Sequence, residues 1–97
     1  MESKELERDI DAITLLVRDR FSEVRIEQLK VTHPADDDGI WYFWMPGAER
    51  DDVQIESSYG VCPFLIETNR DGRRLNGNTV EETVSIICSH LETSLYE

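Results

Sequence analysis

A nine-residue run, Gly39-Ile40-Trp41-Tyr42-Phe43-Trp44-Met45-Pro46-Gly47, constrains this chain more than any other stretch. It holds both tryptophans and half of the aromatic residues. Aromatic side chains favour strands, and the bracketing glycines fit a strand of about 5–6 residues. A strand with one wet face alternates apolar and polar residues, whereas this run is apolar at successive positions. Either both faces are covered within the monomer, or one aromatic face is offered to a partner. The number of elements available for covering decides between these.

A chain of 97 residues predicts one domain over 1–97, folded around a core that buries about 60–65% of the unfolded surface. Its 21 acidic against 10 basic residues give a net charge of −11. Such a surface repels nucleic acid and anionic membranes, and it suits a basic partner or simple solubility. The bases are uneven: Arg70, Arg73 and Arg74 cluster, and no Lys or Arg follows Arg74. No stretch reaches the ~18–20 apolar residues of a membrane span. The charged start, Met1-Glu2-Ser3-Lys4-Glu5, lacks the apolar centre of a signal peptide. Two cysteines without metal-like spacing predict reduced thiols in a cytoplasmic protein.

The first helix is carried by Leu6, Ile10, Ile13, Val17 and Phe21, with Leu16 widening the stripe and Ser3 as N-cap. A strand over 24–31 follows. Its apolar positions change parity between Ile26 and Leu29, which predicts a bulge near Glu27-Gln28. The polar loop 32–39 leads into the aromatic strand. Val53–Ser57 alternates cleanly, and Val61–Thr68 folds back on it about Tyr59-Gly60. That centring pairs Val53 with Ile66, Ile55 with Phe64 and Ser57 with Cys62. Pro63 belongs near a strand end, an edge or a bulge. Asp71-Gly72 signals a hairpin. A short strand around Arg73–Leu75 follows, with Leu75 facing Thr68, and Asn76-Gly77-Asn78 ends the sheet. Thr79-Val80-Glu81-Glu82 opens the last helix as a capping box. Val80, Val84, Ile87, Leu91 and Leu95 form its buried stripe beside Cys88, while Ile86 and His90 turn toward the first helix or solvent.

The predicted fold is α+β: a two-layer sandwich whose antiparallel sheet of four to five strands carries the N- and C-terminal helices on one face. A small acidic chain with this element order resembles the secretion chaperones of type III systems, which implies a homodimer binding an extended segment of a client protein. Acidic immunity proteins that neutralise basic toxins resemble it equally in size and charge. Both resemblances rest on element order, size and acidity, and carry no individual residues.

Catalytic constellations are sparse. Cys88-x-His90 with Cys62 supplies three ligand types, but Cys88 and His90 point about 160° apart on a helix. Small core thiols are the simpler reading, and neither a metal nor another cofactor is expected. Cys62 with His90 lacks a third orienting group for a nucleophile. Asp36-Asp37-Asp38-Gly39 lacks the alternating ligand spacing of an EF-hand and reads as a solvated acidic turn. Glu56 and Glu67 fall on the same predicted sheet face. With Tyr59 they define an alternative function, a small hydrolase or ligand-binding domain, which requires a concave pocket and a raised carboxylate pKa.

The two helices suffice for one face of the sheet, so the other is open. It carries either Tyr42 and Trp44 or Trp41 and Phe43, together with Leu65, Gln54, Glu56 and Glu67. Exposed aromatics within a polar surround are the composition of interfaces. The expected function is therefore non-catalytic protein binding through Trp41, Tyr42, Phe43, Trp44, Glu56, Leu65 and Glu67. The expected partner is a second copy, a protein client, or both.

Overall fold

The computed structural model describes residues 8–29, 39–47, 51–57, 60–69 and 72–95. The elements run α1 (Asp9–Arg20), β1 (Arg25–Gln28), β2 (Ile40–Trp44), β3 (Val53–Glu56), β4 (Phe64–Thr68), β5 (Arg74–Gly77) and α2 (Val80–Leu95). The five strands form one antiparallel meander in the order β1-β2-β3-β4-β5. This is the expected α+β arrangement, with the optional last strand present. No helix among the described residues is long and apolar enough to cross a membrane.

Strand periodicity sorts the side chains. Trp41 and Phe43 of β2, Val53 and Ile55 of β3, and Phe64 and Ile66 of β4 are all buried on one face. Ile10, Ile13 and Val17 of α1 and Val84, Ile87, Cys88 and Leu91 of α2 close over them to form a single core. Trp41 meets Phe64 edge to face, with ring centroids 6.3 Å apart. An odd number of strands separates the helices, and each helix reverses onto its neighbouring strand through a short turn. Consequently α2 runs in the same sense as α1, and the two pack side by side on the same face of the sheet.

Local chemistry sets the helix ends. The Arg8 N–H donates to Asp11 Oδ2 at 2.9 Å, and Asp9 and Asp11 suit the positive end of the α1 dipole. Arg18 and Arg20 suit its negative end. The Asp9 carboxylate also accepts the Cys62 N–H at 2.8 Å, fastening α1 to the β3–β4 connection. Thr79 Oγ1 accepts the Glu82 N–H at 3.0 Å, while the Glu82 carboxylate reaches past Thr79 to the Asn78 N–H at 2.9 Å. The capping box is therefore present, with its return bond displaced by one residue.

Several sequence expectations are corrected. The β3–β4 register pairs Val53 with Thr68, Ile55 with Ile66 and Glu56 with Leu65, two residues from the expected pairing. The connection takes up the difference: Gly60 adopts φ +71° beneath α1, where an added Cβ would stand 2.7 Å from Ile10 Cγ2. A two-residue slip preserves parity, so each side chain keeps its expected face. A separate two-residue shift in the β4–β5 hairpin places Leu75 opposite Ile66 rather than Thr68, and β5 continues through Gly77 instead of ending at Asn76. β1 pairs with β2 without a bulge from Arg25 to Gln28, and the Leu29 N–H continues the ladder to the Ile40 carbonyl at 2.9 Å. Leu16 does not join the α1 stripe and is exposed, as is Leu15 at 69%. Pro63 lies immediately before β4, as its missing N–H requires. Ser3, Leu6, His33, the acidic run Asp36–Asp38, Tyr59, Arg70, Asp71 and the Leu95 side chain lie outside what is described.

Candidate functional site

The sheet face opposite the helices is ordered in rows by the strand register. One row reads Leu29, Ile40, Glu56, Leu65, Asn76, and the next reads Glu27, Tyr42, Gln54, Glu67, Arg74. Trp44 opposite Arg25 begins a third. Ile40, Tyr42 and Trp44 thus form one stripe along β2, flanked by Leu29 on one side and Leu65 two strands away on the other. Among the described residues no helix or strand lies over this stripe. Tyr42, Trp44, Ile40 and Leu65 are each half-buried, and Leu29 is 38% exposed.

Of the two aromatic pairs left open by the sequence, Tyr42 and Trp44 are the outward one. Trp41 and Phe43 belong to the core, at 5% and 0% exposure, and are withdrawn from the candidate surface. Leu29 and Ile40 join it instead. The signal for Leu29 was visible in the sequence as the parity change in β1: an apolar residue stands on the outer face without a bulge.

Glu56 and Glu67 share the outer face in neighbouring rows. Glu67 receives Arg74 Nε at 2.9 Å. Glu56 stands exposed in the neighbouring row, between Ile40 and Leu65. A polar hollow of about 560 Å³ borders Glu67 and is lined by Asp52, Gln54, Asn69 and Arg74, without Glu56. Of the two carboxylates assigned to acid–base work in the alternative function, only Glu67 lines this hollow.

The cysteines are free. Cys62 packs under α1, where burial first, and then a hydrogen bond to and the charge of Asp9, push its thiol up to about 11. Burial pushes the Cys88 thiol up as well. A thiol held in its protonated form at neutral pH is a poor nucleophile. Alkylation of Cys62 by iodoacetamide at pH 8 should run about 100-fold slower than that of an exposed cysteine, because the two-unit rise removes that share of thiolate. Asp9→Asn should accelerate it, read by mass spectrometry of the labelled peptide. The sign for stability follows. The unfolded chain releases this proton from about pH 9 while the folded chain holds it to about pH 11, so stability falls across that range.

His90 turns neither to α1 nor to open solvent. Its side chain is 8% exposed, and Nε2 lies 3.3 Å from Asp51 Oδ1 and 3.1 Å from the Asp51 carbonyl, bracing α2 against the start of β3. Ile86, one turn earlier, joins it on the wall of a groove of about 310 Å³ between α2 and β5. No group of three or more His, Cys, Asp or Glu among the described residues is arranged to hold a metal ion. Comparison with protein-family models, curated proteins and solved structures finds no match for this chain.

Proposed function

We propose that the chain is a non-catalytic, cytoplasmic protein-binding domain whose contact surface is the open face of the sheet. The observation carrying this reading is the β2 stripe Ile40, Tyr42 and Trp44, which lies outward and adjacent to Leu29 while both helices occupy the opposite face. Tyr and Trp supply large contact areas at small entropic cost, and they dominate the energetics of interfaces when surrounded by polar residues. Here Glu27, Glu56, Glu67, Arg25 and Arg74 provide that surround. A second copy and a client both fit this surface; the homodimer needs no further component and is the form put to test.

Two chains of net charge −11 repel each other, whereas the proposed contact is apolar at its centre. Raising the ionic strength from about 0.01 M to about 0.15 M shortens the Debye length from about 30 Å to about 8 Å. Self-association through this face should then tighten several-fold, read by sedimentation velocity. A complex held by a basic partner would loosen over the same range. Self-association that weakens as salt is added would count against an apolar contact.

A further inference from the structure

A second candidate surface is an edge rather than a face. Among the described residues no strand lies beyond β5. The Thr68 N–H donates to the Arg73 carbonyl at 3.0 Å, which fixes the phase of the β4–β5 ladder. In an antiparallel ladder the bonded positions alternate. Arg73, Leu75 and Gly77 therefore bond inward to β4, and Arg74 and Asn76 direct their N–H and C=O groups to the outside. Both residues are exposed. Beside this edge, on the α2 side, runs the groove walled by Arg73, Leu75, Ile86, Ser89 and His90.

We propose that the β5 edge and the α2 groove together bind an extended acidic peptide segment of another protein, added as a sixth antiparallel strand. Strand addition takes affinity from the edge backbone and specificity from alternate side chains. A peptide residue opposite Leu75 falls in the non-hydrogen-bonded pair, where side chains approach closest, and points into the groove toward Leu75 and Ile86. It is apolar. The peptide residue opposite Arg73 lies two positions further along the same face. It is acidic, because the Arg73 guanidinium forms no ion pair with any described residue, whereas Arg74 Nε is already held by Glu67 at 2.9 Å. The recognised pattern is apolar-x-acidic in an antiparallel strand.

Charge argues against a second copy at this edge. An antiparallel pair of β5 strands centred on Leu75 would set Arg73 opposite Gly77 and Arg74 opposite Asn76 of the second copy, so a second copy offers the Arg73 guanidinium no carboxylate, whereas an acidic peptide residue does. An acidic segment meets a basic edge on a chain that is otherwise strongly acidic.

The test uses the full chain and a fluorescein-labelled peptide, Ser-Thr-Leu-Thr-Asp-Thr-Ser, with acetylated and amidated ends, followed by anisotropy and by amide chemical shifts. Saturable binding below about 1 mM is expected, with the largest shifts at residues 73–77. Asn76→Pro removes an outward N–H while leaving the β4 ladder intact, and should weaken binding at least ~10-fold. Arg73→Glu gives an independent loss of similar size should the proline variant unfold, and Trp44→Ala should leave peptide binding unchanged. That last variant separates the edge from the open face. Absence of saturable binding, equal binding of the peptide with Lys in place of Asp, or undiminished affinity in both β5 variants would overturn the proposal.

Discussion

Phe43→Ala lowers the unfolding free energy by about 4 kcal/mol, whereas Tyr42→Ala, one residue earlier, costs about 1 kcal/mol. Phe43 is fully buried between Ile26 and Val53 on the helix-covered face. Truncation there removes the transfer free energy of a ring and leaves a cavity that the surrounding strands cannot collapse into. Tyr42 lies on the opposite face beside Glu27 and Gln54, where water replaces the lost contacts. Against a total stability of about 5–15 kcal/mol for a domain of this kind, the first change leaves little margin and the second is tolerated. Urea denaturation at constant m value reads both. Equal losses at the two positions would show that the Tyr42 face is as well covered as the core.

The second large effect is expected where a glycine lies beneath a helix. Gly77 ends β5 opposite Phe64, and the first turns of α2 pass directly over it. A Cβ built there would overlap Thr83 Oγ1 and stand 3.1 Å from Ile66 Cδ1. Thr83 is buried and its hydroxyl donates to the Thr79 carbonyl at 2.8 Å, so making room requires displacing the start of α2. Overpacking of this kind costs about 3 kcal/mol. For a chain of this size that corresponds to a drop of roughly 12–24 °C in Tm, measurable by circular dichroism. Combining Gly77→Ala with Thr83→Ala, which removes the obstructing hydroxyl, should recover part of the loss. A Gly77→Ala variant as stable as the parent would mean that α2 does not approach β5 this closely.

These two sites mark where sequence reasoning succeeds and where it stops. Phe43 and Trp41 belong to a run whose apolar character on both faces is local information, and two amphipathic helices account for the cover of one face. Which aromatic pair turns inward depends on register with Ile26 and Val53, and a strand without polar residues supplies no parity of its own. The opposite lesson comes from Leu29. Its break in alternation predicts a bulge, because a half-buried strand keeps its apolar residues inside, yet the residue stands on the outer face beside Ile40. The irregularity was a property of the surface, not of the backbone. The β3–β4 register slipped by two for a third reason. Its turn is positioned by Gly60 against Ile10 and by Asp9 holding the Cys62 N–H, and contacts between residues about 50 positions apart leave no local pattern. Gly77 likewise reads as a turn residue in Asn76-Gly77-Asn78, since nothing nearby in the chain shows that a helix crosses over it. The helical period places His90 only on the flank of α2, because its partner Asp51 sits at a strand start with no periodicity to link them.

The outward stripe of β2 remains the centre of the account, and its most direct test is the mass of the protein in solution. Multi-angle light scattering at increasing concentration, up to about 1 mM as the weak limit of specific association, should approach twice the 11.3 kDa chain mass. The double replacement Tyr42→Ala with Trp44→Ala should return it to a single chain while the circular dichroism spectrum stays that of the parent. A parent protein that holds the single-chain mass over the whole range, or a dimer that survives the double replacement, would contradict self-association through the open sheet face.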